Sequence, residues 1–291
     1  MTQFQKPVLV VGSKGMLGTD LCAVLERSRR LCKGLDLPEI DITDSPSTSK
    51  IIQEIKPCVV INTAAMTDVD GCESNREKAH EVNALGALNV ARAARESEAY
   101  LIHISTDYVF DGSKDSPYKE EDPVNPLGIY GKTKAEGEKL MLSLSYKNIL
   151  IVRTQWLYGL NGKNFVESIL RACSERNVLK VVDDQHGRPT FTEDLADALL
   201  RLIDLKPTGI LNVANSGSTS WHGFATAIVE IEGLKNISVE KMATTELGRP
   251  APRPLYSLLS LEKFQSVTGS LLRDWKSSLS EYLTKRKCIK G

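Results

Sequence analysis

The stretch Val8-Leu9-Val10-Val11-Gly12-Ser13-Lys14-Gly15-Met16-Leu17-Gly18 decides the fold. Four consecutive apolar residues read as a buried strand, and the period through Leu21, Val24 and Leu25 that follows the glycines reads as a helix. Between a strand and a helix, glycines let the chain turn tightly and approach a ligand with bare backbone. The free N–H groups and positive end of the helix then attract a pyrophosphate. Gly12, Gly15 and Gly18 are accordingly candidate dinucleotide contacts. An ordinary turn between strand and helix would look the same, so the flanks decide.

Downstream, Asp36 falls at the end of the apparent second strand, where a carboxylate can accept hydrogen bonds from an adenine-ribose hydroxyl. Asp41-Ile42 then offers a polar and an apolar contact for an adenine ring, although Asp41 also reads as a loop acid or helix cap. Strand-like runs recur at Cys58–Ile61, Tyr100–Ser105 and Ile149–Arg153. They alternate with helical periods over Glu77–Ser97, where Val82, Leu85, Gly86, Val90 and Ala93 share a face, and over Tyr130–Leu144. This alternation predicts an α/β fold, a Rossmann-like doubly wound parallel sheet covered on both faces by helices.

The 291 residues exceed one ordinary core. The expected division is a dinucleotide-binding domain over 1–155, with return segments roughly at 179–215, and a smaller C-terminal substrate lobe over 156–291. In that second half a helix is expected near Asn164–Arg176, a strand near Leu179–Val182, a helix near Glu193–Leu205, a strand near Ile210–Ala214, a loop over Arg249–Pro254 and a final helix over Leu271–Lys285.

Thirty-seven basic residues balance 37 acidic ones, so the broad field of a nucleic-acid or membrane-surface binder is missing and a small-molecule partner is expected. The six cysteines have no C-x-x-C pair and read as reduced fillers. The four histidines have no second ligand at metal spacing, so no metal is expected. The opening residues carry no basic-then-apolar signal pattern and no run reaches membrane-spanning length, which predicts a cytoplasmic location.

Tyr130 and Lys134 stand one turn apart on one helix face. An ammonium near a phenol draws the phenol pKa down from about 10 towards working pH, giving a donor that can protonate the oxygen of a carbonyl under reduction. The pair follows His103-Ile104-Ser105-Thr106-Asp107, a strand whose C-terminal edge is where open α/β sheets bind ligands. There a hydroxyl can meet the same oxygen. Trp156 and Arg253 complete the candidates, an aromatic face for sugar or base and a guanidinium for a diphosphate.

With these motifs the chain resembles the extended short-chain dehydrogenase/reductases, and within them the dTDP-4-dehydrorhamnose reductases, over nearly its whole length. The matching segments are Asn62-Thr63-Ala64-Ala65-Met66-Thr67 with Val69-Asp70 and Glu73, Ser105 to Gly112, Pro126 ahead of Tyr130 to Lys134, and Gly137-Glu138. Later matches are Arg153 to Tyr158, Asn164-Phe165, Asp184 to Thr190, and Arg253-Pro254 with Ser257. The longer spacing of the glycine loop fits that superfamily as well.

The resemblance implies reduction, by NADPH or NADH, of the 4-keto group of dTDP-4-dehydro-L-rhamnose to dTDP-L-rhamnose. It implies that Gly15, Met16, Leu17, Asp36, Asp41, Ile42, Ala65, Met66, Thr67, Ile104, Tyr130 and Lys134 line the dinucleotide, and that Thr106, Asp107 and Trp156 hold the sugar nucleotide. A homodimer is compatible with it, without an acidic ligand set for a bridging metal. Two rivals remain at this stage. A sugar-nucleotide dehydratase or epimerase of the same superfamily is one, but dehydratases carry Glu after the Thr-Asp pair where this chain has Tyr108. A non-catalytic Rossmann subunit like the regulatory subunit of methionine adenosyltransferase is the other, and the intact Thr106, Tyr130 and Lys134 argue for turnover instead.

Overall fold

The computed structural model describes residues 6–290. Five strands, β1 (Val8–Val11), β2 (Cys32–Leu35), β3 (Val59–Asn62), β4 (Tyr100–Thr106) and β5 (Ile149–Thr154), join the strand Gly209–Asn212 in one sheet. Its order is Gly209–Asn212, β5, β4, β3, β1, β2, and every pairing is parallel, with Val8 opposite both Cys32 and Val59, and Ile104 opposite Val152. Parallel strands buried on both faces explain why these segments read as continuous apolar runs.

One face packs against the helices Met16–Arg27 and Thr192–Leu205, through Leu21, Leu25, Leu195 and Leu199. The other packs against Ser45–Ile55 and Ala87–Glu96, through Ile52, Val90, Ala91 and Ala94. The chain steps outward from β1 to β2 and then returns to β1's other side for β3. The ends of β1 and β3 therefore flank the crevice where such sheets bind ligands.

The long helix expected over Glu77–Ser97 is interrupted. Arg76–His80 and Ala87–Glu96 are α-helical, but Glu81–Gly86 between them is a π-helical turn. The wider turn shifts the register, so Leu85 points outward at 41% exposure instead of sharing the buried face with Val90 and Ala93. Asn83 of that turn is buried; its side chain accepts from the Met66 N–H at 2.8 Å and donates to the Met66 carbonyl at 3.1 Å. The helix Ile129–Leu142 passes close enough that a Cβ at Gly137 would lie 2.5 Å from the Asn83 carbonyl oxygen.

A second core gathers Tyr158, Phe191, Phe224, Trp275 and Tyr282, largely by ring contacts. The helices Phe165–Glu175, Trp221–Ile231 and Trp275–Lys290 enclose it. The strand Val178–Val182 belongs here, paired in parallel with Ser238–Met242, whereas Gly209–Asn212 joins the main sheet. Arg249 to Pro254 forms no helix or strand. Trp275 starts the last helix later than the Leu271 expected, because the preceding residues pair through Trp275 N–H to the Ser216 carbonyl.

Candidate active site

The glycine loop is shaped by three close approaches. Gly12 has φ +84°, and a Cβ there would lie 2.7 Å from both the Ala64 nitrogen and Thr63 Oγ1. A Cβ at Gly18 would lie 2.1 Å from the Gly12 carbonyl oxygen, so neither position accepts a side chain without moving backbone. Gly15 opens the helix at its N-cap. The Thr63 hydroxyl fastens β3 to the loop by donating to the Val11 and Gly12 carbonyls at 2.9 and 3.0 Å.

Two clefts of about 440 and 420 Å³ lie on either side of this loop and share Gly15, Thr63 and Ala65. Gly12, Asp36, Asp41 and Ile42 line the smaller cleft. Met16, Leu17, Gly18 and Thr67 line the larger one, together with Ile104, Thr106, Asp107, Tyr130, Lys134 and Trp156. The two clefts could together hold an extended dinucleotide, with the bare backbone of the glycine loop between them. Met66 differs from its neighbours, since its backbone is clamped by Asn83 and only Ala65 and Thr67 reach the walls.

Asp36 accepts from the Lys14 and Leu37 amides at 2.9 and 2.7 Å, which fixes its carboxylate beside the loop. Asp41 closes a local turn by accepting from the Thr43 amide and hydroxyl at 2.9 and 2.7 Å, and these bonds hold its carboxyl below the ordinary range. The cap of the following helix is instead Asp44. Arg30, near Asp36 in sequence, is paired with Asp204 of the helix Thr192–Leu205. The cations that line the smaller cleft are Lys14 and Lys78. Asp36→Ala is expected to raise the NADPH-to-NADH ratio of kcat/KM about tenfold, because one carboxylate-to-ribose contact and one repulsive charge are lost together. Parallel titrations with both cofactors check it, and an unchanged ratio removes Asp36 from the ribose site.

Thr106 ends β4 and caps the short turn Asp107–Val109, its Oγ1 accepting from the Tyr108 amide at 3.2 Å. The Thr106 hydroxyl draws the Tyr130 phenol pKa down against the larger effect of burial, and both groups line the larger cleft. Asp107 is buried, accepts a 2.5 Å bond from Ser257, and is pushed up to about 7 by desolvation. Trp156, at φ +49°, stacks on Trp221 with ring centroids 3.6 Å apart. Gly187 permits this, since a Cβ there would lie 2.4 Å from the Trp156 ring.

The expected ammonium-to-phenol arrangement is corrected. Burial pushes the Tyr130 phenol up, not down. The Lys134 amino group is directed into β4, 2.6 Å from the Ile104 carbonyl oxygen and 3.1 Å from His103 Nε2, and desolvation lowers its pKa to about 8. Arg253 does not line either cleft. It donates to Asp70 Oδ2 at 3.0 Å and to the Ala251 carbonyl at 2.7 Å, next to Tyr108, whose ring meets Tyr130 edge-on at 5.6 Å.

Sequence reasoning missed Lys163 and Trp221 in the larger cleft, and Thr154 and Gln155 in its floor. Thr154 Oγ1 and Gln155 Nε2 are buried polar atoms with no protein partner. Only the adjacency of Thr154 and Gln155 to Trp156 could have signalled them; Lys163 comes from the loop before the helix Phe165–Glu175 and Trp221 from the first turn of its own helix. Among the described residues no group of three or more His, Cys, Asp or Glu is placed to hold a metal ion, and no helix is long and apolar enough to cross a membrane. All six cysteines are free, with Cys58 and Cys288 exposed.

Residues 6–288 match the family model described as the RmlD substrate binding domain. The chain is 42% identical to the spore coat polysaccharide biosynthesis protein SpsK of Bacillus subtilis, over 96% of this chain and 97% of that protein. It is 39% identical to dTDP-4-dehydrorhamnose reductase of Streptomyces griseus, over 97% and 94%. A solved dTDP-4-dehydrorhamnose reductase from Bacillus anthracis, in complex with NADP, superposes with a TM-score of 0.93 at 35% identity, covering 97% of this chain and 100% of that one. The likeness thus spans nearly the whole of each chain, and this chain belongs to the RmlD family, that of the dTDP-4-dehydrorhamnose reductases.

Proposed function

We propose that this protein reduces the 4-keto group of dTDP-4-dehydro-L-rhamnose to give dTDP-L-rhamnose, with NADPH or NADH as reductant. The observation that carries the reading is the convergence of Thr106, Tyr130 and Lys134 in the cleft that begins at the glycine loop. The dinucleotide, when bound, supplies hydride to the carbonyl carbon. Tyr130 gives its phenolic proton to the carbonyl oxygen as negative charge develops there, and its raised pKa keeps that proton in place until then. Thr106 orients the same oxygen by a hydrogen bond. Lys134 anchors the ribose end of the dinucleotide.

The sugar nucleotide is held by Thr106, Asp107 and Trp156, with Gln155 Nε2 and Thr154 Oγ1 offering unused polar atoms in the floor. NAD(P)H oxidation that depends on added dTDP-4-dehydrorhamnose tests the activity. Cofactor binding without oxidation would favour the non-catalytic alternative, and turnover of other dTDP-keto-deoxysugars in preference would shift the substrate within the class.

Arg253, which lines neither cleft and is held by Asp70 beside Tyr108, is proposed to reach the diphosphate of the substrate. Arg253→Ala is expected to weaken dTDP binding about tenfold or more, the loss of charge-assisted hydrogen bonds. Calorimetric titration decides; a folded variant that binds dTDP as tightly as the parent removes Arg253 from the site.

A further inference from the structure

Lys163 sits in a loop that is pinned to the helix opened by the glycine loop. A Cβ at Gly162 would lie 3.7 Å from Met16 Cβ, and one at Gly159 would lie 2.9 Å from Met16 Cγ. Asn161 donates to Asp20 Oδ1 of that helix at 3.0 Å, and Asp20 is itself buried and bonded by the Thr192 hydroxyl. Asn164 closes the loop, donating to the Gly159 carbonyl at 2.8 Å and accepting from the Glu167 amide at 3.1 Å. Lys163, between these two asparagines, lines the larger cleft together with Gly15, Met16, Leu17 and Gly18. The other cation that lines it, Lys134, is buried and engaged by the Ile104 carbonyl and His103. Lys163 is exposed, and among the described residues it makes no ion pair or hydrogen bond; the acid four positions on, Glu167, is held by Arg286 and Tyr282. An unpaired ammonium is therefore kept beside the first-turn amides of a helix, which have no intrahelical acceptor and attract anions.

We propose that Lys163 is a cofactor-binding residue that pairs with the pyrophosphate of the dinucleotide, and that Asn161, through Asp20, is the positioning residue that holds it over the glycine loop. The loop's amides are neutral donors, and Lys163 adds a full positive charge against the two phosphate charges. The diphosphate of a sugar nucleotide has the same chemistry. The dinucleotide is favoured because the loop of Lys163 is fastened to Met16 and Asp20, on the helix that begins at the glycine loop, whereas Thr106 and Asp107 lie at the end of β4. The bound dinucleotide would then join the two parts of the fold, taking amides from the main-sheet side and a cation from the side of the second core.

The proposal rests on the reading that these clefts hold a dinucleotide, and its test needs no keto sugar. NADH and NADPH are titrated separately into the intact protein by nicotinamide fluorescence, at low and high salt, and dTDP is titrated by calorimetry. Lys163→Ala is expected to weaken NADH and NADPH alike, by about five- to tenfold at low salt, to flatten the salt dependence of both, and to leave dTDP binding unchanged. Lys163→Arg should restore most of the affinity. Asn161→Ala should weaken both dinucleotides less and add little in combination with Lys163→Ala, a non-additivity that general loosening of the fold would not produce; additive losses would remove Asn161 from the positioning role. A Lys163→Ala protein with the parent's affinity for both dinucleotides overturns the proposal. So does a loss confined to NADPH, which places the ammonium at the 2′-phosphate, or one confined to dTDP, which places it on the sugar nucleotide. A parent protein that binds neither NADH nor NADPH would overturn the dinucleotide reading itself, and this proposal with it.

Discussion

Tyr130→Phe is expected to lower kcat about 100- to 10,000-fold while leaving NADPH affinity nearly unchanged, the range that a positioned general acid contributes. The phenol lines the cleft beside Thr106, and its ring packs edge-on against Tyr108. Phenylalanine keeps that packing and removes the proton alone. Asp107 cannot substitute readily, because Ser257 and Thr106 already hold its carboxyl oxygens. Single-turnover hydride transfer measures the step free of product release. A Tyr130→Phe enzyme within a few-fold of the parent would assign the phenol to packing.

Arg153→Leu is expected to destabilise the fold by about 3–5 kcal/mol, since it strands a buried carboxylate. Arg153 and Glu138 side chains are 2% and 4% exposed and are joined by bonds of 2.6, 3.1 and 3.2 Å. The same guanidinium donates to the Glu120 carbonyl at 3.2 Å, and Glu138 also receives the Ser105 hydroxyl. The pair thus ties β4, β5 and the helix of Tyr130 and Lys134 together just below the reacting groups. Urea denaturation should show a lower midpoint with an unchanged slope. Replacing both partners by leucine should recover much of the loss, because no charge is then left unpaired; a single variant as stable as the parent would show that the pair contributes little.

The main sheet was legible because parallel strands are buried on both faces. β1 agrees with its apolar run to the residue, β4 and β5 each extend one residue beyond theirs, and β3 is shifted by one residue at both ends. The glycine loop was legible for a steric reason, since Gly12 and Gly18 occupy positions where any Cβ strikes backbone. The π-helical turn was not, because its cause is tertiary: Asn83 must face Met66, and apolar periodicity carries no trace of that demand.

In the site, most residues named from the sequence line one of the two clefts, whereas their electrostatics were not legible. Tyr130, Lys134 and Thr106 do meet in one cleft. Spacing alone, however, suggested an ammonium acting on a phenol, whereas burial and the His103 contact dominate and turn Lys134 towards β4. The partner of Arg253, Asp70, lies 183 residues away in sequence and comes near only through the fold. Trp221 is likewise brought to Trp156 by the second core.

The most direct test of the central claim is isotope transfer. Wild-type protein is given dTDP-4-dehydrorhamnose and NADPH deuterated at the transferable position of the nicotinamide, and the sugar nucleotide is examined by mass spectrometry and NMR. The expected result is one deuterium bound to C4 of the product sugar, with stoichiometric oxidation of the cofactor. Cofactor that remains reduced while bound, or a product carrying no deuterium at C4, would contradict it.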